Sequence, residues 1–169
     1  MGEATTSSSL TICLVCSHGG HLAEMLQLGD AFAGHAVFYF CYDADTTRRL
    51  PDAFRVSNRP YSPFEFLRNL GRAIRIFRRR RPDLVVSTGA EIAIPVVLVA
   101  KVFRTPVIYI ECGAQVARPS VTGRILYYLA DEFYVQWPEL LRAYGSRARF
   151  EGSLVDEVKS IPRQGGAEI

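Results

Sequence analysis

Two histidines and two glycines follow the first apolar run of the sequence, in Ser17–His21 (SHGGH). Glycine lets a phosphate approach the backbone closely, and the first turn of a helix exposes unpaired N–H groups. His21 is predicted in that turn, where neighbouring N–H donors disfavour the imidazolium and leave a neutral ring able to accept a proton. The loop therefore predicts phosphate binding beside a general base. A tight strand-to-helix turn with a capping histidine is the structural alternative.

A second glycine-bearing loop, Ser87–Glu91 (STGAE), follows a later apolar run. Two such loops side by side predict a phosphate or diphosphate ligand. Neither matches the G-x-G-x-x-G fingerprint or the G-K-[ST] ending of a Walker loop, which disfavours conventional NAD and ATP sites. Glu111 closes the apolar strand VIYIE, so its charge either faces the ligand cleft or orders a neighbouring loop.

The elements that must position these loops are β-rich apolar runs alternating with helical patterns. Strands are predicted at Leu10–Cys16, Ala36–Tyr42, Phe54–Ser57, Leu84–Ser87, Val107–Glu111, Glu132–Val135 and Ala148–Phe150. Helices are predicted at His21–Phe32, Pro63–Arg80, Glu91–Phe103, Thr122–Leu129 and Pro138–Tyr144. This alternation indicates a single Rossmann-like α/β domain with a mainly parallel sheet. In the common strand order 3-2-1-4-5-6, both loops lie at the topological switch point, where ligands bind.

Length and composition fit one domain, since 169 residues with 49% hydrophobic content bury a real core. We expect a disordered start at residues 1–9, the domain at 10–160 and a flexible tail at 161–169. No apolar run reaches the roughly 20 residues that span a bilayer, which predicts a soluble or peripheral protein. Cys13 and Cys16 lie three apart in one strand and point to opposite faces, so they are predicted to be packing thiols.

The segment Pro63–Arg80 reads as an amphipathic cationic helix. Its apolar side is predicted to hold Leu67, Leu70, Ile74 and Phe77, and its cationic side Arg68, Arg72, Arg75 and Arg79. The arginines form either a solvated face or a contact with anionic lipid headgroups. Nucleic acid is a weaker alternative, because no aromatic stacking platform accompanies them and the net charge is only +3.

Four motifs in register resemble one subunit of the split glycosyltransferases, the family of the dolichol-pathway membrane-recruiting subunit and its bacterial PssD-like polysaccharide relatives. They are ICLVCSHGGHLAEM, RRRRPDLVVSTGAEIAIPVVLVAKVF, PVIYIEC and FYVQWPEL. The resemblance runs from about Leu10 to Gly152. It implies the amino-terminal half of a GT-B glycosyltransferase, similar to the acceptor-binding half of the peptidoglycan N-acetylglucosaminyltransferase.

The resemblance also implies roles for individual residues. Ser17, His18, Gly19 and Gly20 are expected to bind the acceptor diphosphate, together with Thr88, Gly89 and Ala90 of the second loop. His21 and Glu111 are the catalytic candidates, with His21 as the base. Gln136 and Trp137 are expected at a partner interface, although tryptophan at a strand end also serves as a core anchor. No cofactor and no metal are expected.

The implied activity is hexosyl transfer from a UDP-sugar to a polyprenyl-diphosphate-linked saccharide in exopolysaccharide or capsule assembly, shared with a separately encoded carboxyl-terminal GT-B half. The nine polar or small residues before the first strand favour a bacterial member held peripherally at the cytoplasmic face of the cell membrane. The alternatives are a non-catalytic module that recruits a partner glycosyltransferase to the membrane and a dinucleotide-binding oxidoreductase that uses Asp43 for a ribose.

Overall fold

The structure, a computed structural model, describes residues 9–59 and 62–155. The strands are β1 (Thr11–Cys16), β2 (Ala36–Tyr42), β3 (Ala53–Val56), β4 (Leu84–Ser87), β5 (Val107–Ile110), β6 (Glu132–Val135) and β7 (Ala148–Phe150). The α-helices are α1 (Gly20–Gln27), α2 (Asp45–Arg48), α3 (Pro63–Arg80), α4 (Ala93–Phe103), α5 (Val121–Leu126) and α6 (Glu139–Tyr144). The predicted disordered start and flexible tail lie outside the described residues, apart from Ser9.

All seven strands pair in parallel, in the order β3-β2-β1-β4-β5-β6-β7. This confirms the predicted fold class and strand order, and each strand boundary lies within one residue of its predicted position. The four-residue helix α2 was not predicted, because so short a segment shows no helical period. The predicted helix at His21–Phe32 is two elements, α1 and a 3-10 helix at Gly29–Phe32.

The sheet is buried on both faces, as a parallel sheet requires. Cys13 and Val15 pack in the larger core cluster, against the side of the sheet that α3 and α4 cover. Leu14 and Cys16 pack in the second cluster, beneath Leu22 of α1. The opposite orientations predicted for the two cysteines are confirmed. Burial raises the pKa of Cys16 to about 12 and that of Cys13 further, so both thiols are unreactive packing groups.

Helix α3 has clear sequence signals at both ends, which explains why its predicted bounds match the structure. The Ser62 side chain accepts a hydrogen bond from the backbone N–H of Glu65, and Pro63 occupies the first turn. Arg81 closes the helix in a left-handed conformation (φ 45°) just before Pro82. Among the described residues, no helix has both the length and the apolar character needed to cross a bilayer.

Candidate functional site

A cavity of about 710 Å³ opens at the carboxyl ends of the central strands. β1 pairs with β2 on one side and with β4 on the other, so this edge is the predicted switch point. Of the predicted site residues, Ser17, His18, His21, Ala90 and Glu111 line the cavity. Its remaining lining residues are Tyr42, Asn58, Glu91, Tyr109, Cys112, Ala114, Gln115, Pro119, Ser120, Val121 and Thr122.

The first loop turns into α1 through Gly19, which has a positive φ of 72° and caps the helix without a side-chain hydrogen bond. Such a backbone conformation favours glycine. Gly20 has no such requirement, and a Cβ there meets no atom within 4 Å. Both glycines are exposed but lie outside the lining of the main cavity, so their diphosphate contacts stay predictions.

His21 is held by a reciprocal pair of hydrogen bonds to the second loop. Its Nδ1 lies 2.8 Å from the carbonyl oxygen of Thr88, and the Thr88 hydroxyl donates to the carbonyl oxygen of His21 at 2.7 Å. Because a carbonyl only accepts, Nδ1 carries the proton, and a neutral ring then keeps its lone pair on Nε2. The ring lines the cavity, so its position agrees with the predicted base, while the base role itself stays a prediction.

Thr88 and Gly89 support His21 from beneath and do not line the cavity. Thr88 is fully buried. Gly89 has a φ of 116°, and a Cβ at this position would lie 2.9 Å from Cε1 of His21, so only glycine allows the ring to pack there. The burial of both residues argues against direct contact with the ligand, and that contact stays a prediction. They position the histidine, and Ala90 is the member of that predicted set which reaches the cavity.

The Glu111 carboxylate is fully buried and satisfied by this chain's own donors. The Ser120 hydroxyl lies 2.9 Å from Oε1, the Cys112 N–H donates to the same oxygen at 3.0 Å, and the Tyr144 hydroxyl donates to Oε2. Burial, followed by the hydrogen bond to Glu111, raises the pKa of Tyr144, which keeps the phenol protonated as a donor. Of the two predicted alternatives, this geometry favours the one in which Glu111 orders the neighbouring loop.

A second buried carboxylate, Glu24 on α1, was not predicted. Its oxygens accept from the backbone N–H of Gly113 and from Nε2 of Gln136, each at 3.0 Å. Burial raises the pKa of Glu24, and the Gly113 N–H partly offsets this. Gln136 is 2% exposed and also donates to the carbonyl oxygen of Glu111. Gln136 thus joins internal elements, which corrects its predicted place at a partner interface.

Trp137 is half-buried, and its indole N–H donates to the carbonyl oxygen of Gly113 at 2.7 Å. It therefore anchors the loop after β5 and also leaves part of its ring accessible, so its interface role stays a prediction.

One group of possible metal ligands occurs among the described residues: atoms of His21, Glu24 and Cys112 lie within 4.8 Å of one another. Burial raises the pKa of the Cys112 thiol to about 11, which disfavours the thiolate that binds metals. The Glu24 oxygens already accept protein hydrogen bonds. These donors fit a structural network better than a metal centre.

Tyr42 and Glu91 form a contact across the switch point that the sequence analysis missed. The Tyr42 hydroxyl, at the end of β2, donates to a carboxylate oxygen of Glu91 in the second loop. Glu91 was visible as the last residue of STGAE, but neither its partner nor its position could be deduced from local spacing. The oxidoreductase candidate Asp43 pairs instead with Arg48 at 3.0 Å, which lowers the pKa of Asp43.

Leu70 and Ile74 pack against the larger core cluster as predicted, but one position on the apolar side of α3 differs from the prediction. Phe77 is buried as expected, but Leu67 is 66% exposed and lies beside Phe64, which is 72% exposed. Asn69, Ala73 and Ile76 are buried, so they belong to the face of the helix that packs on the core. Of the predicted membrane contacts, Arg68, Arg75 and Arg79 are exposed. Arg72 is half-buried, with its guanidinium 3.4 Å from the Asn69 side-chain oxygen, so it is less available to a membrane than the other three arginines.

Comparison with known proteins identifies the family. The model of the oligosaccharide biosynthesis proteins like Alg14 matches residues 49–154, which is more than half of the chain. The chain belongs to this family. That result confirms the broader part of the resemblance drawn from the sequence motifs, without singling out the PssD-like relatives.

Two curated subunit relatives match over most of their length, and a longer enzyme matches over a quarter of its length. The chain is 26% identical to the human UDP-N-acetylglucosamine transferase subunit ALG14, over 84% of this chain and 82% of that protein. The subunit of the same name from Eremothecium gossypii is 31% identical, over 85% of this chain and 80% of that protein. The UDP-N-acetylglucosamine–N-acetylmuramyl-(pentapeptide) pyrophosphoryl-undecaprenol N-acetylglucosamine transferase of Desulfitobacterium hafniense is 37% identical, over 54% of this chain and 25% of that enzyme.

Solved structures share the fold. Acinetobacter baumannii MurG superposes with a TM-score of 0.71 at 19% identity, over 83% of this chain and 45% of that one. UDP-N-acetylglucosamine 2-epimerase from Rickettsia bellii has the same TM-score at 14% identity, over 89% of this chain and 46% of that one. The chain thus spans about half the length of the solved structures it matches. Family membership favours the glycosyltransferase interpretation over an oxidoreductase.

Proposed function

We propose that this chain is a non-catalytic, membrane-recruiting subunit of a two-chain glycosyltransferase. It presents a polyprenyl-diphosphate-linked acceptor to a partner chain that binds the UDP-sugar. The observation that carries the proposal is the division of the switch-point cavity. One wall offers the open loops around His21, whereas the buried carboxylate of Glu111 on the other wall is already satisfied by protein donors. A cavity of this kind suits holding an anion better than carboxylate acid–base chemistry.

Family membership and the names of the relatives support a subunit role, because the human and Eremothecium proteins are each called a transferase subunit. The described residues form one Rossmann-like sheet, and GT-B enzymes bind their substrates between two. The partner therefore supplies the second sheet and most of the donor contacts.

Isothermal titration with UDP-N-acetylglucosamine tests this division of labour. The chain alone should show no binding, and the purified complex with its partner should bind the nucleotide sugar. Tight donor binding by this chain alone would contradict the proposal.

The competing proposal is that this chain contributes His21 as the catalytic base. Its tie to Thr88 leaves Nε2 as the proton acceptor of the neutral ring. In the reconstituted pair, His21→Ala should leave turnover within about threefold if the subunit only recruits and presents. A general base would cost about 10²–10⁴-fold. His35→Ala, at a histidine that does not line the cavity, is the control, and gel filtration checks that the complex persists.

Membrane recruitment is assigned to the exposed face of α3, which carries Phe64 and Leu67 followed by Arg68, Arg75 and Arg79. Apolar side chains next to cations suit the interface of an anionic membrane, at its predicted cytoplasmic face. The double change Arg75→Gln and Arg79→Gln should weaken binding to anionic vesicles by roughly 30-fold, at about 1 kcal/mol per arginine. Arg49→Gln with Arg142→Gln is the control pair. Equal binding to neutral vesicles would contradict the assignment.

The donor is proposed to be UDP-N-acetylglucosamine, because the names of both subunit relatives specify it. Lipid-linked oligosaccharide synthesis is then the favoured process over the exopolysaccharide or capsule assembly expected from the sequence. Turnover assays of the complex with UDP-N-acetylglucosamine, UDP-glucuronic acid and UDP-galactose distinguish these pathways. A strong preference for either of the other two sugars would reverse the choice.

A further inference from the structure

A second cavity, of about 460 Å³, lies between the amino-terminal halves of α3 and α4. Its walls are mostly apolar, with Phe66 and Leu67 from α3 and Ile92, Ile94 and Pro95 from the start of α4. Its volume falls within the roughly 300–1,000 Å³ of sites that bind small organic ligands. An apolar cavity of this size has no use in a site that binds only a diphosphate and a sugar.

The apolar cavity adjoins the switch-point cavity. Tyr42 and Glu91 line both, and their hydrogen bond lies at the boundary between them. A polar compartment beside His21 and an apolar compartment beside Ile94 therefore lie next to each other, as a ligand with a polar head and an apolar chain requires.

The apolar walls decide which end of such a molecule enters which cavity. Glu65 lines the apolar cavity and is 5% exposed. Its Oε1 lies 3.4 Å from an Arg68 nitrogen, and its Oε2 has no hydrogen-bond partner among the described residues. Arg59 also lines this cavity, so its charged groups are of both signs and do not by themselves select a ligand. The apolar side chains that form most of its walls suit an uncharged chain.

We propose that the apolar cavity binds the first isoprenoid units of the polyprenyl diphosphate acceptor, so that the subunit grips the lipid on both sides of its phosphates. This inference rests on the proposed function and identifies part of its substrate. Leu67 lines the cavity and is 66% exposed, so the remainder of the chain leaves past Leu67 toward the proposed membrane face of α3.

Titration in the absence of membranes separates this site from general membrane binding. The probes are farnesyl diphosphate, below its critical micelle concentration, and inorganic diphosphate. Farnesyl diphosphate should bind at least tenfold more tightly. Leu67→Asp should remove that advantage without changing the affinity for inorganic diphosphate. Val102→Asp, at an apolar position that is 79% exposed and does not line the cavity, should change neither affinity.

Ile94→Asp is a second variant, on the opposite wall, and should act like Leu67→Asp. Circular dichroism checks that both variants fold. Equal binding of the two probes, with inorganic diphosphate still bound, overturns the isoprenoid site and leaves the proposed function standing. Failure of both probes to bind overturns the acceptor-presenting role as well. If Leu67→Asp weakens assembly with the partner while farnesyl diphosphate binding is unchanged, a partner side chain occupies the cavity and the inference is wrong.

Discussion

The two walls of the switch-point cavity differ in how their polar groups are used. On the wall after β5, Glu111 is fully buried and each of its oxygens has a donor from the chain. On the wall formed by the two glycine-bearing loops, the His21 ring is hydrogen-bonded through Nδ1, and Ser17 and His18 beside it are at least partly exposed. A satisfied network stabilises the fold, whereas unused donors and acceptors are available to a ligand. Within one cavity, the wall that contains Glu111 therefore stabilises the fold, and the wall that contains His21 is available to a ligand.

The largest effect is expected from removing the Glu111 carboxylate, on which the hydrogen-bonded wall depends. Glu111→Ala should lower the free energy of unfolding by more than about 3 kcal/mol, because it leaves several buried donors unpaired. Glu91→Gln, on the boundary between the cavities, should cost less than about 1 kcal/mol because the amide still accepts from Tyr42. Urea denaturation measures both. Similar losses for the two variants would remove the distinction between the walls.

Glycine substitutions in the two loops test how firmly the wall that contains His21 is built. Gly89→Ala should destabilise by about 1–3 kcal/mol, because it combines a positive φ with a Cβ 2.9 Å from the His21 ring. Gly20→Ala should be neutral or slightly stabilising, since alanine favours the first turn of α1 and meets no atom within 4 Å. Thermal unfolding compares the two. A neutral Gly89→Ala would mean that His21 is not held as described.

The smallest expected effect concerns Cys112, the one of the four cysteines that is not buried. Burial, with a contribution from the charge of Glu24, raises its pKa from the ordinary value near 9.0 to about 11. Raising the pKa lowers the thiolate fraction, so at pH 8 alkylation by iodoacetamide should be roughly 100-fold slower than for an ordinary thiol. The rate should rise tenfold per pH unit up to about pH 11. Glu24→Gln should speed alkylation, and a plateau near pH 9 would contradict the buried network.

Much of the scaffold followed from local sequence. The bounds of α3 and the two glycine-bearing loops were predictable because capping residues, proline and apolar period act over a few positions. The strand order is not a local property, and it was predicted from the order common among doubly wound sheets. The exposure of Leu67 was not predictable from the sequence. Leu67 fits an apolar stripe by period, whereas the helix packs on the core through Ala73, Ile76 and Phe77.

The satisfied network was the least predictable part of the site. Glu24 and Gln136 are 112 residues apart in sequence, and only the folded sheet brings them together. Thr88 was expected to touch the ligand because its loop was predicted at the switch point. Its side chain, however, turns inward to the carbonyl oxygen of His21, and loop composition does not record that orientation. Local patterns therefore located the cavity but not the direction of each side chain.

In the proposed division of labour, this chain presents an acceptor and a partner completes the transferase. Turnover of UDP-N-acetylglucosamine with a polyprenyl-diphosphate-linked acceptor, measured for this chain, for the partner and for both together, tests this division most directly. We expect no transfer by either chain alone and robust transfer by the pair, retained in His21→Ala within about threefold. Transfer by this chain without a partner would contradict it.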